Sequence, residues 1–255
     1  MPDLSRELSV FADGEPITGF SHARLTGRDY VGLYPMPFTL RLWNLSEQER
    51  GLLSSAREIS VLHDGSVLAA GIMTDSCCVT VPEGTVAEVV FSAGIRLWEA
   101  PVSLSVEAGV CVSESVRRIL EASGTGIPLL AFPGEDPVRT RGQAFYGRAA
   151  ECIRSALSAA GARACLMSSG LCVIPASGLP ESMTLTEADL YGSPVRTGEK
   201  LMILRTRVTG WPLGKTVSVR WNGASAEGVV IGRSVDADSR EGSWCAELLV
   251  EIHNS

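Results

Sequence analysis

The sequence predicts a mainly β chain with an inserted α/β module, an α+β arrangement of two β-barrel or sheet lobes flanking a small two-helix domain. Three observations carry that class. Apolar and polar residues alternate over residues 5–100 and again over 183–255, the period of half-buried strands. Over 106–180 the apolar spacing changes to three and four residues, the period of a helix. Asp-Gly, Glu-Gly and Asn-Gly pairs interrupt the alternating runs, as tight hairpins require. The expected domains are 1–105, an N-terminal β-barrel lobe with a short helix at 46–56; 106–180, the inserted α/β module; and 181–255, a C-terminal β-barrel lobe.

The elements follow in order. "ELSVFA" alternates, "DGEP" turns the chain, and "ITGFSHARLT" alternates again. "PFTLRLWNL" puts Phe38, Leu40 and Leu42 on one face and Thr39, Arg41 and Trp43 on the other. Ser46 and Glu49 have capping-box spacing: the Ser hydroxyl takes a helix amide while the Glu carboxylate reaches back. "EISVLHDGSVLAAGIM" and "CCVTVPEGTVAEVVFSA" read as two hairpins, turning at Asp64-Gly65 and Glu83-Gly84. In the middle, Val116, Ile119 and Leu120 share a helical face, with Ser113 as N-cap and Gly124 as stop. "IPLLAF" is a short strand, and the Pro/Gly-rich "PGEDPVRTRGQAFYG" is a loop. A second helix carries Ala149, Cys152, Ile153, Ala156 and Leu157 on one face and stops at Gly161. "ACLMSSGLCVIP" is then a hairpin around Ser169-Gly170. Beyond 182 the strands are "SMTLTEADL", "EKLMILRTRVT", "KTVSVRWNG", "AEGVVIGRSVDA" and "SWCAELLVEI", with a turn at Asn222-Gly223. Thr186–Asp189 is either strand or one helical turn. No convincing internal sequence repeat joins the two β lobes.

Composition narrows the function classes. The chain has 255 residues, 29 acidic and 22 basic, and a net charge of −7, which gives no overall pull on phosphates and argues against direct nucleic-acid recognition. With 45% apolar and 20% charged residues it is a folding sequence, not a disordered one. No apolar run approaches the ~18 residues of a membrane span, and the N-terminus lacks the unbroken apolar stretch of a secretory signal. Of the basic residues 20 are Arg and 2 are Lys, a bias that a GC-rich genome explains and that also suits protein interfaces.

Seven cysteines with no C-x-x-C suggest neither a disulfide framework nor a zinc knuckle. Most sit in apolar strings and read as buried free thiols of a reducing compartment. The three histidines, His22, His63 and His253, occupy strand, turn and tail contexts without metal-ligand spacing. A cytosolic hydrolase with a Cys or Ser nucleophile near His63 is one alternative, and it requires a pocket where His63 meets a thiol or hydroxyl. A small-ligand-binding β-protein is another, and the scattered tryptophans disfavour it. Gly210-Trp211-Pro212-Leu213-Gly214-Lys215-Thr216 has three residues between its glycines, where a phosphate loop needs four, and leads into a strand. Asn44-Leu45-Ser46 is an accidental sequon. The acidic run Asp236, Asp238, Glu241 lacks a calcium-loop ladder and reads as a solvated turn. No catalytic, cofactor-binding or metal-binding residue is assigned.

An ordered set of strings resembles the baseplate hub proteins of contractile-tailed bacteriophages and of related prophage tail-like injection systems. These are "FTLRLWNLSEQERGLL" (38–53), "VLHDGSVLAAGIM" (61–73), "SESVRRILEA" with "AAECIRSALSAAG" (149–161), and "CVIP". Leu190-Tyr191-Gly192-Ser193-Pro194 and "DADSREGSW" (236–244) complete the set. The stretch "RTRVTGWPLGKTVSV" departs from the pattern and leaves the register of the last lobe open. The resemblance implies a structural protein and not an enzyme. It implies a homotrimer whose two tube-like lobes per chain make a pseudo-sixfold ring, joining a sixfold tail tube to a threefold central spike. The implied partners are the tail tube protein, the central spike protein and other baseplate proteins; the implied place is the virion tail baseplate, assembled in the host bacterial cytoplasm. Trp43, Arg41, Arg205 and Arg207 are the candidate interface residues, because an outward Trp and strand arginines are what such contacts use.

Overall fold

Among the described residues, eighteen strands and four α-helices follow the alternation and the helical period closely. The structure, a computed structural model, describes residues 6–82, 84–167, 169–208, 210 and 213–253. The first part of the chain forms β1 (Ser9–Ala12), β2 (Glu15–Ile17), β3 (His22–Tyr30), β4 (Phe38–Trp43), α1 (Glu47–Ser55), β5 (Glu58–His63), β6 (Ser66–Val81) and β7 (Gly84–Ser92). The middle forms α2 (Ile95–Glu99), β8 (Pro101–Val106), α3 (Val112–Ser123), β9 (Leu129–Ala131), β10 (Gln143–Arg148), α4 (Ala149–Ser158), β11 (Arg163–Met167) and β12 (Gly170–Ile174). The last part forms β13 (Leu179–Leu185), β14 (Val195–Arg196), β15 (Leu201–Arg207), β16 (Lys215–Trp221), β17 (Ala224–Asp238) and β18 (Trp244–Ile252). The chain is therefore mainly β with a small helical module, as the sequence predicts.

Local signals account for most elements. Phe38, Leu40 and Leu42 are buried while Arg41 between them is exposed. The Ser46–Glu49 capping box forms in full, and the Glu49 carboxylate also accepts the Thr18 and Gly19 amides, fastening α1 to the β2–β3 link. The helical turn is the outcome at Glu187–Asp189, closed by Thr186 and Asp189. All five predicted apolar positions of α4 are buried.

Several expectations change. The N-cap of α3 is Cys111, not Ser113: Ser113 sits in the first turn, and its amide and hydroxyl both donate to Asp136 from the loop opposite. That loop is shorter than predicted, because its end forms β10 against β8. Helix α2 interrupts what alternation marked as strand. Cys77 and Cys78 are exposed, whereas Cys152, Cys165 and Cys172 are buried. The first pair lies on a stretch of β6 that runs past its core. Glu83, Trp211 and Pro212, from a predicted turn and the glycine-flanked loop, lie outside the described residues.

Three apolar cores result. The first gathers β1 to β7 and also takes Val235, Ala237 and Trp244 from the far end of the chain. The second lies between α3, α4 and their strands, with Leu33 inserted from the β3–β4 link. The third joins β13 to β18 with Cys165, Cys172 and Ile174 of the module.

The two β lobes repeat one another in structure, although no sequence repeat joins them. Strand order is β5-β6-β7-β4-β3 in the first and β16-β17-β18-β15-β14 in the second. Each β5–β6 type of hairpin closes on a type I′ turn with two positive φ values: Asp64 47° and Gly65 73°, Asn222 45° and Gly223 75°. Each long strand then carries a register shift against its hairpin partner, between Met73 and Asp75 on β6 and between Val230 and Gly232 on β17. An Arg–Glu pair recurs across equivalent strands, Arg41 to Glu88 and Arg205 to Glu247, both at 2.6 Å. The underlying signal is Ile59-Ser-Val-Leu-His-Asp-Gly65 against Val217-Ser-Val-Arg-Trp-Asn-Gly223, alike at Ser, Val and Gly only.

A glycine sits at the same place in both repeats. A Cβ on Gly71 would lie 2.3 Å from the Ser92 carbonyl carbon, and one on Gly228 would lie 2.3 Å from the Glu251 oxygen. Both obstacles are backbone and cannot rotate away. Gly71→Ala and Gly228→Ala are each expected to lower unfolding free energy by about 1–3 kcal/mol, the usual cost of overpacking. Urea titration would show this as a lower midpoint at unchanged slope.

Candidate interaction surface

The four candidate interface residues fall at two equivalent places. Arg41 on β4 and Arg205 on β15 each face a glutamate on the neighbouring strand. Trp43 and Arg207 each lie two residues further along the same strands and are half-buried. Trp43 stacks on the His22 ring, with centroids 4.0 Å apart and planes inclined by 21°. It is thus partly satisfied within the chain, on the face of β4 opposite the buried Phe38, Leu40 and Leu42. Arg207 lies near Asp189, whose carboxyl is held below its ordinary range by the Thr186 amide and hydroxyl first, with Arg207 adding to them. Exposed pairs such as Arg41–Glu88 contribute about 0–1 kcal/mol, so they orient a surface more than they stabilise it.

The sequence reading missed the polar seam between the lobes. β17 leaves β16, passes its register shift, and then pairs antiparallel with β3 from Gly232↔Tyr30 to Asp238↔Arg24. Arg233, 7% exposed, donates through Nε and Nη2 to the two Asp29 oxygens at 3.0 and 2.8 Å and through Nη2 to the Leu68 carbonyl at 2.7 Å. Arg24 reaches Asp236 at 3.2 Å through Nε and Nη2. Asp238 is 7% exposed, not the solvated turn residue expected. Its Oδ1 accepts the Arg240 and Glu241 amides and lies 2.8 Å from His22 Nε2. Burial alone would raise the Asp238 carboxyl; the Arg240 amide, the His22 ring and the Glu241 amide outweigh it and hold the pKa below the ordinary value.

His63 closes β5 beside the Asp64-Gly65 turn but is buried, 6% exposed. Nδ1 lies 3.0 Å from the Glu7 carbonyl and Nε2 3.3 Å from the Asp64 carboxylate, with the ring edge-on to Trp244. These contacts are a carbonyl and a carboxylate, where a nucleophile-activating histidine would face a thiol or hydroxyl. Burial pushes the Cys165 thiol far above its ordinary range, the wrong direction for a nucleophile. A cavity of about 410 Å³ lies where the cores meet, with Asp29, Leu68, Cys165 and Arg233 among its walls. The Arg233 and Asp29 charges there are already engaged with each other. Among the described residues no group of three His, Cys, Asp or Glu is placed to hold a metal ion, and no helix is long and apolar enough to cross a membrane.

No protein-family profile and no curated protein sequence matches the chain. Solved structures do. A tail protein from Neisseria meningitidis MC58 superposes with a TM-score of 0.71 at 12% identity, over 96% of this chain and 95% of that one. The 43 kDa tail protein of prophage MuSo2 from Shewanella oneidensis gives 0.68 at 12% identity, over 96% and 97%. An E. coli component of the type VI secretion system, itself similar to the T4 bacteriophage tail proteins gp27 and gp5, gives 0.70 at 12% identity, over 96% of this chain and 77% of that one. The chain shares the fold of these proteins over nearly its whole length.

The seam titrates in a defined direction. Because the Asp238 pKa is lowered in the fold, its contribution is fully present above the unfolded value near 4 and is lost as pH falls through the lower folded value. Asp238→Ala is expected to destabilise the protein by about 2–3 kcal/mol at neutral pH, the range for a charged group losing its hydrogen bonds. Denaturant midpoints of the two proteins should converge as pH drops below about 4.

Proposed function

We propose that this chain is a structural hub of a phage-type tail baseplate, acting by geometry and without a catalytic step. Three copies form a ring that joins a sixfold tail tube to a threefold central spike. The observation that carries this reading is the repeat: one chain holds two lobes of the same strand order, turn type and register shift. Three such chains present six similar lobes, which meets a sixfold tube on one side while keeping threefold symmetry for the spike. The match in fold to tail proteins supports the same assignment.

The division into an N-terminal lobe, 1–105, an inserted module, 106–180, and a C-terminal lobe, 181–255, belongs to this proposal, with the module at the ring's periphery. So do the interface roles of Arg41, Trp43, Arg205 and Arg207. Arg41 and Arg205 hold equivalent positions, so in the trimer the same Arg–Glu pair recurs six times around the ring. Other baseplate proteins bind outside it, and the assembled ring resides in the virion tail after assembly in the host bacterial cytoplasm.

Native mass measurement at high protein concentration tests the reading. The expected species is three times the 27.1 kDa chain mass. A strictly monomeric mass, together with no binding to the tail tube and spike proteins made from neighbouring genes, would overturn it.

A further inference from the structure

The long strands β6 and β17 differ in one respect. On one side, each pairs with its hairpin partner, β7 or β18. On the other, each begins against β5 or β16. Beyond its register shift, β17 continues on that second side against β3. Beyond its own shift, β6 meets no strand there among the described residues, and Asp75–Thr80 are exposed. At the far end of the same sheet β14 also has an edge with no strand against it among the described residues, and Val195–Lys200 are exposed around it. By strand order β14 is the counterpart of β3.

We propose that the open edge of β6, Asp75–Val81, is completed by residues 193–199, around β14, of a second copy of this chain, in the register that β17 adopts on β3 within one chain. This rests on the ring reading above and names the edges that close the ring. An unpaired edge of seven residues is an aggregation hazard unless something covers it. The intrachain seam shows what covers its equivalent: the outer strand of the other type of lobe.

The register follows from the repeat. Val235 faces Ala246 on β18, and its counterpart Cys78 faces Ala87 on β7. Val235 pairs with Gly27 on β3. Gly27 faces Phe38 and Arg196 faces Met202, and these two are equivalent positions on β4 and β15. Cys78 therefore lies opposite Arg196 of the second copy, and Val79 lies opposite Val195. The second pairing brings together two exposed apolar side chains, Val79 at 52% and Val195 at 59%. Thr80 falls opposite Pro194, which has no amide to give, so one ladder bond is left unmade there. The pairing is head to tail, lobe one of one chain to lobe two of the next, and such contacts form a ring when the rotation closes.

The register makes Cys78 a built-in probe. Directly opposed residues of an antiparallel pair have Cα atoms about 4.5–5.5 Å apart, within disulfide range. Arg196→Cys, mildly oxidised at the concentration used for native mass, is expected to give covalent dimer and trimer on non-reducing gels. Cys77→Ser should leave that cross-link intact, and Cys78→Ser should abolish it. An oligomeric native mass without a Cys78-dependent cross-link overturns this edge pairing and leaves the ring standing. A monomeric mass without a cross-link also overturns the edge pairing, and it overturns the ring as well when the chain binds neither the tail tube nor the spike protein. Val79→Asp, on an exposed side chain, gives an independent reading: association at least about tenfold weaker is expected from a charge placed in an apolar pair, and unchanged association overturns the pairing.

Discussion

The structure depends on one strand doing two tasks. β17 begins as an inner strand of the C-terminal lobe and ends as the neighbour of β3 in the N-terminal lobe. Without that second half the two sheets would be separate, and Val235 and Ala237 would lose the core in which they are buried. The Arg233–Asp29 pair sits where the strand changes lobes. A charge this buried is costly unless paired, and here the guanidinium is matched by a carboxylate and by the Leu68 carbonyl. Removing either partner would leave a desolvated charge, so the seam tolerates little variation in position.

The remaining parts are fastened to that frame by backbone groups and caps. The Glu49 carboxylate completes its own helix cap and holds the β2–β3 link, so α1 cannot drift across the sheet. Asp136 does the same for α3: burial would raise its carboxyl, but the Ser113 hydroxyl and amide hold it lowered, with its charge near the helix N-terminus. The module meets both lobes, through Leu33 reaching into its core and through Arg163 donating to Glu251 on β18. Insert and lobes are thus coupled by packing, not merely by chain connectivity.

Legibility tracked distance along the chain. Helix faces, the Ser46–Glu49 box, the Asp64-Gly65 and Asn222-Gly223 turns and the inward set Phe38, Leu40, Leu42 all depend on residues within a few positions of each other. Cys77 and Cys78 misled because their apolar string is read as buried, and only the length of β6 reveals that it outruns its core. Asp238 misled in the opposite sense: polar neighbours suggested solvent, but its partner His22 is 216 residues away. The repeat leaves no convincing trace in the sequence because a strand lobe needs only alternation, two turn residues and one close-packed glycine. Selection on those leaves Ser, Val and Gly in common and little else.

By itself, the sequence determined the secondary-structure period, the Ser46–Glu49 cap and the type I′ turns, because each is set by local sterics and side-chain chemistry. Only the tertiary structure decided that the two lobes share one strand order, that β17 joins them, and that β6 is left with an open edge among the described residues. Those are facts of pairing between distant strands. Backbone hydrogen bonds carry no residue identity, so the partner of an edge cannot be read from either strand alone.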